Sequence, residues 1–484
     1  MLINKNMIRY KVLIHSFSWQ SISIFIQAIC QLVVMGVLAR YLTAEQFGIV
    51  AAANVIVTLV QMFTDSGVSA ALVQRAAIDK YIIAAAAQIS FLIGVIFYFI
   101  IIFNSSLVEE FYSIIGLSKI INTLAITFIL IAAFKIPESL LQRELKFDLL
   151  MKINLISSVF GYMIPAIILA ANGYGAWSLV YPIIMQMVIK VFLLFLLCPV
   201  KIYLIAKRKT YIEILRYGLG LTSIKFWNFI YRQGDRMVLG KTIGVAGLGQ
   251  YHLANQLSYL PGKYLGDIFD SVLFPVMSKI RDDKEKISLL VTYSYQLVLY
   301  AITAMGIFLA VFGSEIINLI YGEKWNSIII VFQVLCLGAG IRSATRVADV
   351  TNRAFGRFKA ASIGKFFSAM LLLVVVYLAS PHGLNIIAVS ILLCNIIALI
   401  IITLIAFSNI EVSKTDIYVA TVKFLICIGL IAIVLSVIHK LFFEIDNVLI
   451  KIIAAIFLWL FFMLLVGYLG YKREIKILMY QVFN

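Results

Sequence analysis

The residues whose types and spacing could do chemistry are cations set in apolar surroundings. Lys225, Arg232 and Arg236 stand seven and four residues apart, which puts them within about 40° on one helical face. Arg342, Arg346 and Asp349 form a second stripe with spacings of four and three. Guanidinium forks match phosphate oxygens well, so two such stripes facing one cavity would take an anion. Gln20, Gln27 and Gln31 share a face of an earlier helix; they could hydrogen-bond sugar hydroxyls, or simply join helices. The acids Glu138, Asp235 and Asp349 could carry a coupling proton. Each could equally pair with a nearby base: Lys135 precedes Glu138 by three positions, Arg346 precedes Asp349 by three, and Asp235 follows Arg232 by three. The five cysteines (Cys30, Cys198, Cys336, Cys394, Cys427) make no CxxC or metal spacing and the four histidines are scattered, so neither a metal nor a cofactor is expected.

The elements that must position these groups follow from composition. Of 484 residues, 63% are hydrophobic and 13% charged, with a mean hydropathy of +1.03. A soluble enzyme could not hide that much apolar surface. Runs of about 20 apolar residues give fourteen candidate spans: 13–38, 47–73, 81–103, 119–141, 149–171, 175–197, 212–239, 247–276, 289–312, 327–350, 360–379, 384–406, 416–438 and 448–470. The first is too long for a signal-peptide core and is read as an uncleaved span. With a cytoplasmic N-terminus, 23 Lys and Arg fall on the inside segments and six on the outside, a positive-inside pattern that returns the C-terminus to the cytoplasm. Most of the formal +17 is therefore a topology signal, and no nucleic-acid partner is expected.

Eleven cations remain within the spans: Lys135, Lys190, Arg216, Lys225, Arg232, Arg236, Lys263, Arg342, Arg346, Lys365 and Lys423. Six acids accompany them: Asp65, Glu138, Asp235, Asp267, Asp270 and Asp349. A charge at the bilayer centre costs about 2.5–3.5 kcal/mol even on lenient scales, so each must snorkel, pair or line a wet cavity. Lys190, Arg216, Lys365 and Lys423 lie toward cytoplasmic span ends, where snorkelling is expected; Lys263 has Asp267 one turn on. The excess positive charge points to an anionic cargo and away from cationic drugs.

The chain also repeats itself. The stretch 39-ARYLTAEQFGIVAAANVIVTL aligns with 240-GKTIGVAGLGQYHLANQLSYL, placing Gly48 on Gly249 and Asn54 on Asn255. Farther on, Lys135 and Glu138 fall on Arg346 and Asp349, and Lys146-Phe147 falls on Arg357-Phe358. The expected architecture is an all-α integral membrane protein of about fourteen helices. A six-helix half at 1–200 is joined by a basic cytoplasmic linker at 201–211 to a second half at 212–407. Two extra helices and a tail follow at 408–484. Paired halves that rock about a central site are a transporter design, and the absence of any loop beyond about 16 residues argues against a glycan polymerase or ligase.

Several of these stretches, 39-ARYLTAEQFGIVA, 65-DSGVSAALVQR, 235-DRMVLGKTIGVAGLGQYHLANQLSYLP, 273-LFPVMSKIRDD and 322-GEKWNS, resemble the polysaccharide-transporter family of the multidrug/oligosaccharidyl-lipid/polysaccharide exporter superfamily. The resemblance is greatest to the exporters of colanic-acid and O-antigen repeat units. It implies a non-enzymatic flippase of the bacterial inner membrane that moves undecaprenyl-diphosphate-linked oligosaccharides by alternating access, driven by H⁺ or Na⁺. Membrane lipids, and the polymerase and chain-length machinery, are the partners it implies. By residue type, lumen-facing cations such as Arg232, Arg236, Arg342 and Arg346 fit that task. Lipid II export and small-molecule export remain alternatives on the same architecture.

Overall fold

Helix after helix is what the sequence's unbroken apolar runs require, because a backbone in hydrocarbon must satisfy every N–H and C=O within its own segment. The computed structural model describes residues 25–64, 72, 78–144, 146–198, 208–280, 283–407, 414–441 and 448–483. The expectations for Gln20, Asp65, the start of the first span and residues 201–207 of the linker lie outside these, as do the side chains of Arg216, Asp267, Asp270 and Lys423.

In chain order the helices are α1 (Phe25–Tyr41), α2 (Ala44–Thr64), α3 (Lys80–Tyr112) and α4 (Leu117–Arg143). Then come α5 (Phe147–Ala171), α6 (Trp177–Leu197), α7 (Arg208–Thr242), α8 (Gly244–Ile280), α9 (Lys284–Val311) and the short α10 (Gly313–Ile320). The series closes with α11 (Ile329–Leu337), α12 (Ala339–Ala354), α13 (Phe358–Ala379), α14 (Leu384–Phe407), α15 (Lys414–Leu441) and α16 (Val448–Phe483). No strand occurs among the described residues. Polar caps mark several starts. Thr43 and Gln46 form a reciprocal capping box at α2, and Asp79 accepts from the Ile82 amide at α3. Between α3 and α4 the chain turns through Ser113 (φ 56°). There Glu109 reaches across to accept from the amides of Gly116 and Ser118, satisfying the first turn of α4. Within α5, Pro165 has no amide to give the Gly161 carbonyl, and residues Ser157–Met163 widen into a π-helical turn just before it.

The chain divides into two compact units. One runs to Phe229 and includes Gly244–Gly249; the other holds Ile230–Ile243 and continues from Gln250. In the first unit α4 is central, packing on α2, α3 and α6. In the second, α9 lies against α12, α15 and α16, while α14 backs α12 and α13. Glycines set the close approaches. A Cβ on Gly340 would fall 1.8 Å from Thr303 Oγ1, and one on Gly306 would fall 2.3 Å from the Cys336 carbonyl oxygen.

The two segments aligned in the sequence also touch. A Cβ on Gly48 would sit 1.9 Å from the Val245 carbonyl oxygen, and one on Gly249 would sit 1.8 Å from that of Ala44. Ala44 and Val245 occupy the same position of the alignment, so the contact is reciprocal. At the second match, Lys146 (φ −80°, ψ 55°) and Arg357 (φ −86°, ψ 53°) precede their helices in the same conformation.

Among the described residues, ten helices are long and apolar enough to cross a membrane, with α1 and Ile426–Lys440 as shorter apolar segments. α14 shows how the outer surface is built: Ile386, Val389, Leu393, Ile397, Ile400 and Leu404 form an exposed stripe, while Ala388, Ile391, Asn395, Ala398 and Ile402 face inward. An exposed apolar stripe that long needs hydrocarbon as its neighbour.

Within the second unit, the last two helices are also held by a charged clasp. Glu315 on α10 accepts from Lys451 Nζ on α16 at 2.7 Å and lies 2.9 Å from His439 Nε2 on α15. Burial alone would raise the Glu315 pKa, but the hydrogen bonds from Lys451, Ser314 and His439 outweigh it and hold the carboxyl down to about 2. A carboxylate depressed in the folded state contributes stability that is present above its ordinary value and lost as pH falls through the folded one. The melting temperature of the purified protein should therefore fall as pH drops below about 4.5 toward 2. Glu315→Gln should be less stable than wild type at pH 7 and should flatten that acid limb; an unchanged limb would show that the clasp carries no stability.

Candidate functional site

The site begins with a helical hairpin. α7 and α8 are joined through Gly244, whose φ of +74° is a left-handed turn that glycine adopts freely. One face of α8 then carries Tyr251, Asn255, Tyr259, Gly262 and Gly266 at spacings of four, four, three and four, a polar and small-residue stripe. Its first members receive a buried acid. Asp235 of α7, 5% exposed, accepts from the Tyr251 hydroxyl at 2.5 Å, from Asn255 Nδ2 at 3.3 Å and from the Arg236 amide at 2.8 Å. The pairing with Arg232 that spacing allowed does not form, because the phenol and amide reach the carboxylate from the facing helix.

Farther along the same face two arginines meet. Arg232 Nη1 on α7 donates to the Tyr259 hydroxyl at 2.9 Å, and Arg346 Nη2 on α12 donates to the same oxygen at 3.1 Å. Arg232 is exposed and Arg346 is 8% exposed. Gly266 makes room for the second: a Cβ there would lie 2.6 Å from Arg346 Nη1. Two guanidiniums held on one oxygen repel by roughly 3 kcal/mol at an effective dielectric near 20. An anion between them would turn that repulsion into attraction.

The rest of the cationic stripes do other work. Arg342 donates to the Leu335 carbonyl at 3.1 Å, capping the C-terminal turn of α11 where the helix breaks at Gly338. Arg236 bonds Gln233 at 2.7 Å, and its Nε is buried without a hydrogen-bond partner. Asp349 turns away from Arg346, three residues earlier, and pairs with Lys365 of α13 at 2.9 Å. Lys365 is almost wholly buried and stands 4.9 Å from the centre of the Tyr231 ring; Tyr231 in turn donates to Asn395. Snorkelling, expected for Lys365, is thus replaced by an inward ion pair.

In the first unit Glu138 has a similar fate. Lys190 of α6 approaches it at 2.6 Å and Lys135 at 3.9 Å, and Lys190 also stacks over Phe134 at 4.4 Å. Lys190, too, turns inward where a snorkelling side chain was expected. Gln27 and Gln31 are half-buried on α1 and Lys225 is half-buried on α7. All three belong to the first unit, so the Lys225–Arg232–Arg236 stripe is shared between units.

Sequence reasoning missed Tyr259, Tyr251 and Gly266. The signal was present in their spacing on α8, but an aromatic and small-residue face reads as helix packing until its partner helices are known. It also missed that Lys190 and Lys365 are the partners of Glu138 and Asp349.

Breaking a buried pair by removing one member is costly, because the other charge stays buried alone. Lys365→Met should lower the folding stability in detergent by about 3 kcal/mol, and Asp349→Leu combined with Lys365→Met should recover most of it. Independent, additive losses in that cycle would show that the two groups are not coupled.

With this geometry in place, comparison with known proteins is informative. Residues 37–330 match the profile of a family described as polysaccharide biosynthesis protein. The lipopolysaccharide biosynthesis protein WzxC of Escherichia coli K12 is 28% identical over 337 residues, covering 67% of this chain and 66% of that protein. The succinoglycan biosynthesis transport protein ExoT of Rhizobium meliloti is 24% identical over 313 residues, covering 64% and 62%. The chain thus spans just under two thirds of either relative's length. Among solved structures, the lipid II flippase MurJ in an inward closed conformation superposes with a TM-score of 0.75 at 16% identity, over 94% of this chain and 99% of that one. An inward-facing multidrug resistance MATE family transporter gives 0.64 at 18%, over 80% and 94%. These two likenesses establish the fold: an all-α membrane protein of the same architecture as both. Taken with the profile match over residues 37–330, they leave a plain assignment: the chain belongs to the polysaccharide biosynthesis protein family.

Proposed function

We propose that this chain is a flippase of the bacterial inner membrane that carries an undecaprenyl-diphosphate-linked oligosaccharide from the cytoplasmic to the outer leaflet by alternating access. The observation that carries the reading is the convergence of Arg232 and Arg346 on Tyr259, which offers guanidinium donors to an oxyanion. The family match and the relatives in lipopolysaccharide and succinoglycan biosynthesis support a saccharide cargo and transport in place of catalysis. A small-molecule exporter of the same fold is disfavoured, since paired arginines repel the cations such a transporter would take. Lipid II carries the same diphosphate chemistry, and family membership speaks for a polysaccharide repeat unit instead. In this reading Lys135, Lys225, Arg236, Arg342, Gln27 and Gln31 are further candidates for the transport path. Both chain ends lie in the cytoplasm in this reading, which the bias of cations toward one side supports.

A coupling ion needs a carboxylate that can gain and lose charge. Glu138 and Asp349 are engaged by lysines, whereas Asp235 is held by a phenol, an amide and a backbone N–H. Asp235 is therefore the best placed of the three to exchange H⁺ or Na⁺.

Deleting the gene should leave lipid-linked repeat units in the cytoplasmic leaflet and reduce surface glycan. Complementation with Arg232→Ala or Arg346→Ala should restore export to about a tenth of wild type or less, the loss of one charged hydrogen bond, at unchanged protein level. Unchanged glycan with no accumulation on deletion would overturn the flippase reading. Asp235→Asn keeps the shape and removes the charge, so export in proteoliposomes should cease to respond to an imposed ion gradient; a wild-type gradient response would move coupling elsewhere.

A further inference from the structure

Tyr259 is placed to do more than hold two arginines apart. A phenol oxygen has two lone pairs and one proton. Arg232 and Arg346 donate to that oxygen at 2.9 and 3.1 Å, which takes up both lone pairs. Toward any third group Tyr259 can act only as a donor. Among the described residues no acceptor takes its proton: the polar neighbours along the same face of α8, Tyr251 and Asn255, are turned to Asp235. Accepting from two cations also polarises the O–H and makes it a better donor to a charged acceptor. The exposed Arg232 leaves this edge of the cluster open to an incoming group.

We propose that Tyr259 is the third donor of the anion site, giving its hydroxyl proton to an oxygen of a phosphate-type anion held between Arg232 and Arg346, with Gly266 as the positioning residue that leaves space for the Arg346 guanidinium. This rests on the anion-binding reading of the two arginines and adds the residue that completes it. The arrangement selects by hydrogen-bond polarity. Three donors converge and none accepts, so an oxyanion is bound and a neutral sugar hydroxyl, which must also donate, is not favoured. Gly266 fixes the geometry from behind. A Cβ at that position would meet Arg346 at Nη1 (2.6 Å), Cζ (2.8 Å) and Cδ (3.0 Å), the mobile end of a side chain, so it would push the guanidinium off Tyr259 without breaking the helix contact.

The test uses the full-length protein in phosphatidylcholine nanodiscs, with inorganic diphosphate titrated by calorimetry. Wild type should bind. Tyr259→Phe should bind about tenfold more weakly while remaining folded and inserted, and Gly266→Ala should weaken binding several-fold, also while folded. Arg232→Ala and Arg346→Ala serve as the controls for the underlying reading. If the arginine variants lose affinity while Tyr259→Phe binds like wild type, the Tyr259 donor is overturned and the anion site stands. If wild type does not bind diphosphate, or the arginine variants bind it unchanged, both fall. Repeating the titration with phosphatidylglycerol in the disc separates two sources of phosphate. A drop in diphosphate affinity that Tyr259→Phe abolishes means that a lipid headgroup reaches the same donor; equal affinity in both discs means that only a soluble or substrate diphosphate does.

Discussion

A charge placed in hydrocarbon must find a partner, and this one constraint arranges much of the molecule. Each intramembrane acid whose side chain is described has been answered from a neighbouring helix: Glu138 by Lys190, Asp349 by Lys365, Asp235 by Tyr251 and Asn255. These bonds fix which faces of α4, α6, α7, α8, α12 and α13 turn inward. Arg232 and Arg346 share the phenol oxygen of Tyr259, and the cluster they form is rich in donors.

The two kinds of partner suggest two kinds of work. A lysine against a carboxylate is a closed arrangement, stable while both are charged and costly to open. Two guanidiniums donating to one oxygen are the open arrangement, and there we propose that an anion is received. Closed pairs then serve as fixed points, Glu138–Lys190 in the first unit and Asp349–Lys365 in the second, while Asp235 and the Tyr259 cluster are the places where we propose that a ligand acts. Both lie along one face of α8, so what happens at one end of that face is mechanically close to the other.

Much of the fold was legible because hydropathy and charge are read by the bilayer as directly as by eye. The apolar runs became helices, and Gly48 and Gly249, matched by their sequence context, lie at close contacts. Spacing also singled out Arg232 and Arg346, which both donate to the Tyr259 hydroxyl. What spacing could not give was the partner across a helix pair. Local rules put Arg346 with Asp349 and Asp235 with Arg232, because an i,i+3 neighbour is the one a sequence shows. Lys365 and Lys190 look like snorkelling residues until the facing carboxylates are known. Tyr259 and Gly266 were invisible for the same reason: their role lies in what α7 and α12 bring to them.

The central claim is that Arg232 and Arg346 handle an anionic group on the transported molecule. The most direct measurement is the leaflet exchange of a fluorescent polyprenyl-diphosphate saccharide in proteoliposomes, comparing wild type with the Arg232→Gln/Arg346→Gln double variant. Glutamine keeps hydrogen-bonding capacity and removes both charges. The account predicts exchange reduced to the protein-free background for the diphosphate-linked saccharide, with the variant folded and inserted as wild type. Exchange by the double variant at the wild-type rate would contradict it.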